Sequence, residues 1–210
     1  MEAFETEEQQ VEAIKKWWRE NFKLVILVTV LGVGGILGSQ YYQQNKIITA
    51  EAASDNYNAV LDAATQKLPE IINDRTSLLQ KDFSSSPYTA QATLLLAKNL
   101  AESDKKQQAI EKLQWVEKNS SDSSLQQIAL IQRAQILASI KQEQQALNIL
   151  NQSSKDGAFN AIKMETKGDI LVALGKQDEA KKAYDDAMGK YLLLGANVDI
   201  LRIKRNDLGN

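Results

Sequence analysis

The chain of 210 residues contains no cysteine and no histidine, and only two prolines. Without those side chains there is no Ser-His-Asp or Cys-His nucleophile pair, no thiolate or imidazole zinc site, no iron–sulfur cluster and no disulfide. Neither sign of charge is in large excess, because 25 Lys and Arg residues nearly balance 27 Asp and Glu residues and the formal net charge is -2. A nucleic-acid partner is therefore not expected, since phosphate binding needs a basic field. Carboxylate metal sites stay open, and no cofactor is expected.

A long hydrophobic run stands near the N-terminus. No charged residue occurs between Lys23 and Lys46, and the core of the run reads LVILVTVLGVGGILG. A helix over residues 24–42 is roughly 30 Å long, which matches the hydrocarbon core of a bilayer. The aromatic residues that flank this helix are Trp17, Trp18, Phe22, Tyr41 and Tyr42. Because such rings prefer the headgroup level, the run predicts one transmembrane helix.

The alternatives for this run are a cleaved signal peptide and a buried core helix. Cleavage is disfavoured because the run is long, acids precede it and no A-x-A-like site follows. A core helix is disfavoured because no polar stripe interrupts residues 24–37. Four bases, Lys15, Lys16, Arg19 and Lys23, precede the run, and Lys46 alone follows it closely. This bias predicts a cytoplasmic N-terminus and an outward-facing C-terminal domain. In a bacterium that means an inner-membrane protein with a periplasmic domain.

Small residues recur within the predicted span. Gly34 and Gly38 form a GxxxG pair, and Gly35 and Ser39 form a second pair on a neighbouring strip. Small side chains let another helix approach closely in lipid, where no hydrophobic drive brings helices together. These four residues, the glycine strip, are therefore candidates for lateral docking onto a membrane partner. The alternative is that glycine is simply common in membrane helices.

Residues 1–23 form the predicted cytoplasmic segment. They begin with a polar, acidic stretch and continue as VEAIKKWWRE, in which Val11, Ile14 and Trp18 recur at helical spacing. Such a helix serves as a topology signal and interfacial anchor. A contact for a cytoplasmic or membrane partner is the alternative.

Three later segments repeat one pattern of residue sizes. Each segment has a small residue, then Leu three positions on, then Ala nine positions on, then a large apolar residue four positions on. The matched sets are Ala97, Leu100, Ala109 and Leu113; Ala134, Leu137, Ala146 and Leu150; and Gly168, Leu171, Ala180 and Tyr184. The steps of 37 and 34 residues between sets and the small residues at helix crossings are typical of tetratricopeptide repeats. An unrelated helical bundle is the alternative.

The pattern departs from that repeat in places. Arg133 and Lys167 stand where Leu is usual, and the repeat-ending proline is missing. We therefore predict an all-α protein with three regions: a cytoplasmic segment (1–23), a transmembrane helix (24–42) and a tetratricopeptide-like α-solenoid (43–210). The solenoid should contain about four helix pairs. A C-terminal helix over residues 196–208, with Val198, Leu201 and Ile203 apolar, should cap the last pair.

The first helix of each pair lines the inner face of such an array. By register, the residues predicted to be exposed on this inner face are Leu94, Lys98, Ile128, Ile131, Gln135, Ile162, Asp169 and Val172. They mix aliphatic and polar groups and lack the Lys and Asn pairs that clamp a terminal carboxylate. Binding of protein segments is the expected role. Packing against neighbouring helices is the alternative for any single aliphatic residue.

Two serine clusters provide the only nucleophile pattern. Ser84–Ser86 lies near Lys81, and Ser120–Ser124 lies near Lys118, so a Ser-Lys hydrolase is conceivable. Both clusters fall in predicted loops, where serine is ordinary turn chemistry. Non-enzymatic function is therefore favoured.

The stretch ETEEQQVEAIKKWWREN at residues 5–21, the span with LGVGGILG and the degenerate repeats together resemble the YfgM family, ancillary subunits of the SecYEG translocon in Gammaproteobacteria. The resemblance covers essentially the whole chain. It implies association with SecYEG and with PpiD, a membrane-anchored periplasmic chaperone, and a role in passing unfolded or nascent secretory proteins to periplasmic chaperones. It also implies an alternative, a regulatory tether whose cytoplasmic segment restrains a stress-response regulator. The leading hypothesis is the adaptor.

Overall fold

The computed structural model describes residues 7–152 and 159–209, and these form helices and turns without a β-strand. The helices are α1 (Glu7–Thr65), α2 (Pro69–Asp82), α3 (Pro87–Glu102), α4 (Lys106–Asn119), α5 (Ser123–Ser139), α6 (Glu143–Gln152), α7 (Asn160–Ala173), α8 (Gln177–Leu193) and α9 (Asp199–Asp207). The prediction of an all-α chain is confirmed.

Two compact units make up the chain, Met1–Glu51 and Ala52–Asn210. The first unit consists of the larger part of helix α1, whose most apolar window has a mean hydropathy of 2.0 and is not buried by the rest of the protein. Among the described residues, this is the one helix long and apolar enough to cross a membrane. Sequence analysis ended the transmembrane helix at residue 42 and began the solenoid, with the first helix of its first pair, after it. The structure joins them, because the polar residues between them include no glycine or proline to break the helix.

Four helix pairs and a terminal helix form the second unit, as predicted. The end of α1 pairs with α2, α3 with α4, α5 with α6 and α7 with α8, and α9 packs against α8. The buried apolar side chains form a series of clusters between successive helices. This local burial is the packing of an α-solenoid, in which each repeat contacts its neighbours.

The turn inside each pair has the same backbone conformation. One residue in each turn has a positive φ: Lys67 (56°), Asp104 (59°), Lys141 (64°) and Gly175 (73°). The N–H of the next residue donates to a carbonyl five positions back: Leu68 to Ala63 (2.9 Å), Lys105 to Leu100 (2.8 Å), Gln142 to Leu137 (2.9 Å) and Lys176 to Leu171 (2.9 Å). This is the Schellman helix ending. Its recurrence at steps of 37, 37 and 34 residues shows four repeats in register.

The first of these repeats was missed by the sequence pattern. Counting back 37 residues from the second repeat gives Val60, Ala63, Ile72 and Thr76, all of which are buried. The sizes are exchanged here, because Val60 is large where Ala97 is small and Ala63 is small where Leu100 is large. Equivalent positions thus keep their burial while their volumes compensate one another.

Arg133, which stands where the repeat usually has Leu, links two helix pairs. Its Nε and Nη2 donate to the two carboxylate oxygens of Glu117 on α4 at 2.7 and 2.8 Å. The two side chains are only 12% and 17% exposed. Burial raises the pKa of Glu117, and the charge and hydrogen bonds of Arg133 oppose that rise. A bidentate ion pair therefore replaces the apolar contact between the second and third pairs.

Candidate functional site

The first helices of the last three pairs lie side by side. Helix α5 packs against both α3 and α7, while α4 and α6 join successive pairs from the other side. This layer of α3, α5 and α7 carries the predicted inner face. The residues predicted to bind protein segments therefore all lie in one layer.

The structure places most of the predicted inner-face residues where a ligand can reach them. Lys98, Gln135 and Asp169 are exposed, and Leu94 and Ile128 are partly buried. Ile162 and Val172 are apolar and exposed by 38% and 39%. The prediction of exposure was wrong for Ile131, which is 4% exposed and packs in the cluster built mainly from the third and fourth repeats. Its side chain fills the space between helices, which is the alternative that the sequence left open.

Three residues at the same repeat position form a line along the inner face. Lys98 extends into solvent with its Nζ 3.9 Å from Glu102 of the same helix. Gln135 donates from Nε2 to the Thr166 hydroxyl at 3.4 Å and so joins α5 to α7. Asp169 is acidic. The charge along the line therefore changes from positive through neutral to negative.

The acidic end of this line is closed by a residue that sequence analysis did not single out. Lys204, on α9, places its Nζ 3.0 Å from Glu165 Oε1 and 2.9 Å from Asp169 Oδ1. The Tyr184 hydroxyl donates to Asp169 at 2.8 Å, and the Tyr191 hydroxyl donates to Glu165 at 3.0 Å. Three elements thus meet in one polar cluster. A lysine 35 residues from Asp169 gives no local sequence signal of this contact.

The two tyrosines in this cluster are held in the neutral state. Burial, followed by the hydrogen bond and charge of Asp169, raises the pKa of Tyr184. The same causes, with Glu165 as partner, raise the pKa of Tyr191 to about 12. Burial lowers the pKa of Lys204, but its bonds to Asp169 and Glu165 outweigh that effect and leave the pKa raised. The cluster therefore stays intact across the physiological pH range.

Helix α9 caps the last pair, although not with all the residues predicted. Val198 and Leu201 are 5% and 4% exposed, as a cap requires. Ile203 was expected to be buried and is 61% exposed. The side of α9 that carries Lys204 and Arg205 faces α7 and α8 instead, where these bases bind carboxylates. The other large aliphatic residues exposed at this end are Leu192, Leu193, Leu194 and Ile200. The terminal repeat thus leaves an apolar edge in solvent.

The glycine strip lies on an open side of helix α1. A Cβ built at Gly34, Gly35 or Gly38 would meet no atom within 4 Å. Ser39 is likewise exposed. A neighbouring helix can therefore approach the backbone closely along this strip.

The two serine clusters serve as turns and helix caps. The Ser86 side chain accepts from Tyr88 N–H at 3.3 Å and begins α3 beside Pro87. Ser120 accepts from Asp122 N–H at 3.1 Å, and Asp122 caps α5. These are the contacts of ordinary turn chemistry. Among the residues that the structure describes, no group of three or more His, Cys, Asp or Glu side chains is arranged to hold a metal ion.

Comparison with known proteins agrees with this architecture. Residues 15–210 match the model of a tetratricopeptide repeat-like domain. A relative from Aggregatibacter actinomycetemcomitans, named an ancillary SecYEG translocon subunit, is 32% identical over 86% of this chain and 88% of its own. The chain belongs to this family of translocon subunits. Family members with the same name from Escherichia coli strain K12 and Neisseria gonorrhoeae are 27% and 29% identical over 99% of this chain and 99% or more of theirs.

The chain also resembles a solved structure. The crystal structure of MamA superposes with a TM-score of 0.56 and 18% identity, covering 72% of this chain and 86% of MamA. At that identity the likeness concerns the fold alone. Together with the apolar helix near its N-terminus, membership of the family describes a membrane-anchored protein with a tetratricopeptide-like domain.

Proposed function

We propose that this protein is a non-enzymatic adaptor of the Sec translocon. In this proposal the span associates with SecYEG, and the inner face binds segments of unfolded or nascent secretory proteins and passes them to periplasmic chaperones. The observation that carries it is the near full-length match to ancillary SecYEG subunits. PpiD, a partner implied by the YfgM resemblance, is the chaperone proposed to share the complex.

The inner face supports binding of extended, weakly specific segments. Ile162 and Val172 offer apolar contacts, while Lys98 and Gln135 offer polar ones. Many weak contacts of this kind suit clients of varied sequence. Lateral docking is proposed for the glycine strip, where the backbone is open.

Site-specific photo-crosslinking in cells tests these surfaces. Probes at Gly34 and Gln135 should capture translocon and chaperone or client proteins. Matched probes at Ile36 in the span and Gln145 on α6 lie on other faces of the same helix or the same pair, and both are exposed. Equal capture from matched and proposed positions would contradict the assignment. If Gln10 alone captured a signalling protein, the regulatory tether would replace the adaptor.

The proposed topology places residues 1–23 in the cytoplasm, 24–42 in the inner membrane and 43–210 in the periplasm. The chain contains no cysteine, so a single introduced thiol gives an unambiguous label. A membrane-impermeant maleimide should label Lys182→Cys in intact spheroplasts and Gln10→Cys only after lysis. The reverse pattern would overturn the orientation.

A further inference from the structure

A row of basic residues lies on helix α1 immediately before the span. Lys15, Arg19 and Lys23 are spaced four residues apart. Each is therefore rotated by about 40° from the one before it and lies about 6 Å further along the axis, so all three are on one side of the helix. All three side chains are exposed. We refer to these three residues as the basic stripe.

Arg19 is the centre of this positive charge. The residues three and four positions away from it are Lys15, Lys16, Phe22 and Lys23, which include no acid. Lys16 differs, because Glu12 and Glu20 stand four positions before and after it on the helix. Within the described residues, no carboxylate forms an ion pair with any of these bases. Glu12 and Glu20 also stand three positions before Lys15 and Lys23. Arg19 is therefore the one base of the stripe with no acid at helical spacing, and its side chain is exposed.

An apolar row runs beside the basic stripe. Ile14, Trp18 and Phe22 are exposed by 67%, 52% and 39%, and each lies one position before a residue of the stripe. This row continues into the hydrophobic run that begins at Leu24. Side chains with an apolar body and a polar edge favour the boundary between headgroups and hydrocarbon.

Distance along the helix determines what the basic stripe meets. Each polar layer of a bilayer is about 5–8 Å thick, as the difference between total and hydrocarbon thickness implies. Lys23 borders the run, and Arg19 lies about 6 Å further out, so both side chains reach the layer of lipid phosphates. Lys15 lies about 12 Å out, close to one Debye length, and acts on the phosphates through a weaker field.

We propose that the basic stripe binds the headgroup phosphates of acidic phospholipids in the leaflet on the N-terminal side of the span. Anionic lipid is the partner of opposite charge, and Arg19 and Lys23 lie at the level of its phosphates. The inference depends on membrane anchoring and not on the adaptor role. It predicts that the protein gathers anionic lipid around itself.

Tryptophan quenching by brominated lipid tests the proposal on the full chain. The protein has three tryptophans, and Trp115→Phe leaves Trp17 and Trp18 beside the basic stripe as the reporters. Reconstitution uses vesicles of phosphatidylcholine and phosphatidylglycerol, with either lipid brominated in turn. Because one base near an anionic surface changes association about fivefold, wild-type protein should prefer phosphatidylglycerol by about that factor or more. The preference should shrink at high salt.

Single substitutions then separate the basic stripe from net charge. Arg19→Gln should lower the preference about fivefold, whereas Arg19→Lys should keep it. Lys182→Gln, on α8, makes the same change of net charge and should leave the preference unaltered. Lys16→Gln should have a smaller effect than Arg19→Gln. Equal quenching by the two lipids, or an equal effect of Arg19→Gln and Lys182→Gln, would overturn the inference, and so would the absence of quenching by either lipid.

Discussion

Replacing Gly168 by alanine should destabilise the fourth repeat. A Cβ at this position would lie 2.6 Å from Cδ1 of Tyr184 and 3.0 Å from its Cζ, and closer still to its Cε1. Carbon atoms pack at about 3.5–4.0 Å, so the ring must move by about 1 Å. That movement also weakens the bond of 2.8 Å from the Tyr184 hydroxyl to Asp169.

The magnitude follows from three contributions. Overpacking costs about 1–3 kcal/mol, and losing a hydrogen bond to a charged group costs about 1.5–3 kcal/mol. Alanine gains about 1 kcal/mol over glycine in a helix interior. The expected loss of unfolding free energy for Gly168→Ala is therefore about 2–4 kcal/mol, or roughly 5–15 °C in Tm for a domain of this size.

Thermal unfolding of the full chain in mild detergent, followed by circular dichroism at 222 nm, measures this loss. Gly189→Ala is the matched control, because Gly189 also lies inside a helix but a Cβ there meets no atom within 4 Å. It should raise the free energy of unfolding by about 0.5–1 kcal/mol. If Gly168→Ala were as stable as Gly189→Ala, the steric argument would be refuted.

The other repeats supply a rescue for this substitution. Where the fourth repeat has Gly168 and Tyr184, the third repeat has Ala134 and Leu150. Adding Tyr184→Leu to Gly168→Ala copies that pair and removes the clash. The double variant should be more stable than the sum of the single effects predicts, with a coupling energy of about 1 kcal/mol or more.

Three further predictions concern buried polar groups. Thr76→Val should raise stability by about 1 kcal/mol, because the Thr76 hydroxyl is fully buried and has no hydrogen-bond partner among the described residues; the same melting assay checks it. Arg133→Ala should cost about 3 kcal/mol by leaving Glu117 buried and unpaired, and adding Glu117→Leu should recover most of that loss. The pKa of Tyr191 is raised from 10.0 to about 12, so its hydrogen bond stabilises the fold fully below pH 10, and this contribution is lost as the pH rises through 12. Ultraviolet titration should show a tyrosine that ionises near pH 12 in the wild type and is missing in Tyr191→Phe.

The helix pairs could be predicted because burial follows local spacing. Small, Leu, Ala and large residues at fixed intervals record which side of each helix is covered, and these positions are buried or partly buried in the structure. Register also predicted which side chains of the first helices are exposed or partly exposed, with Ile131 as the exception. That side chain is covered by neighbouring helices, and how closely two helices approach depends on the sizes of several side chains together.

Contacts between distant segments could not be predicted in this way. Lys204 reaches Glu165 only because α9 has a particular orientation on α8, and no periodicity encodes that orientation. The helix pair of the first repeat was predicted, but the repeat lies outside the size pattern for a related reason. Val60 and Ala63 exchange large and small volumes while the backbone turn at Lys67 is retained. Equivalent positions of the two repeats are buried in both, but their side chains differ in size, so the match is recognised only when the two repeats are superposed.

Packing between neighbouring helices has a consequence for how the domain is made. The extensive contacts of α2 to α9 join helices that are adjacent in the chain or two apart, so the mean sequence separation of contacts is short. Such folds form quickly and tolerate assembly from one end. Each helix can therefore pack soon after its neighbour in the chain has been synthesised, before the more distant repeats exist. A chain that emerges slowly from a narrow exit need not wait for its C-terminus to begin folding.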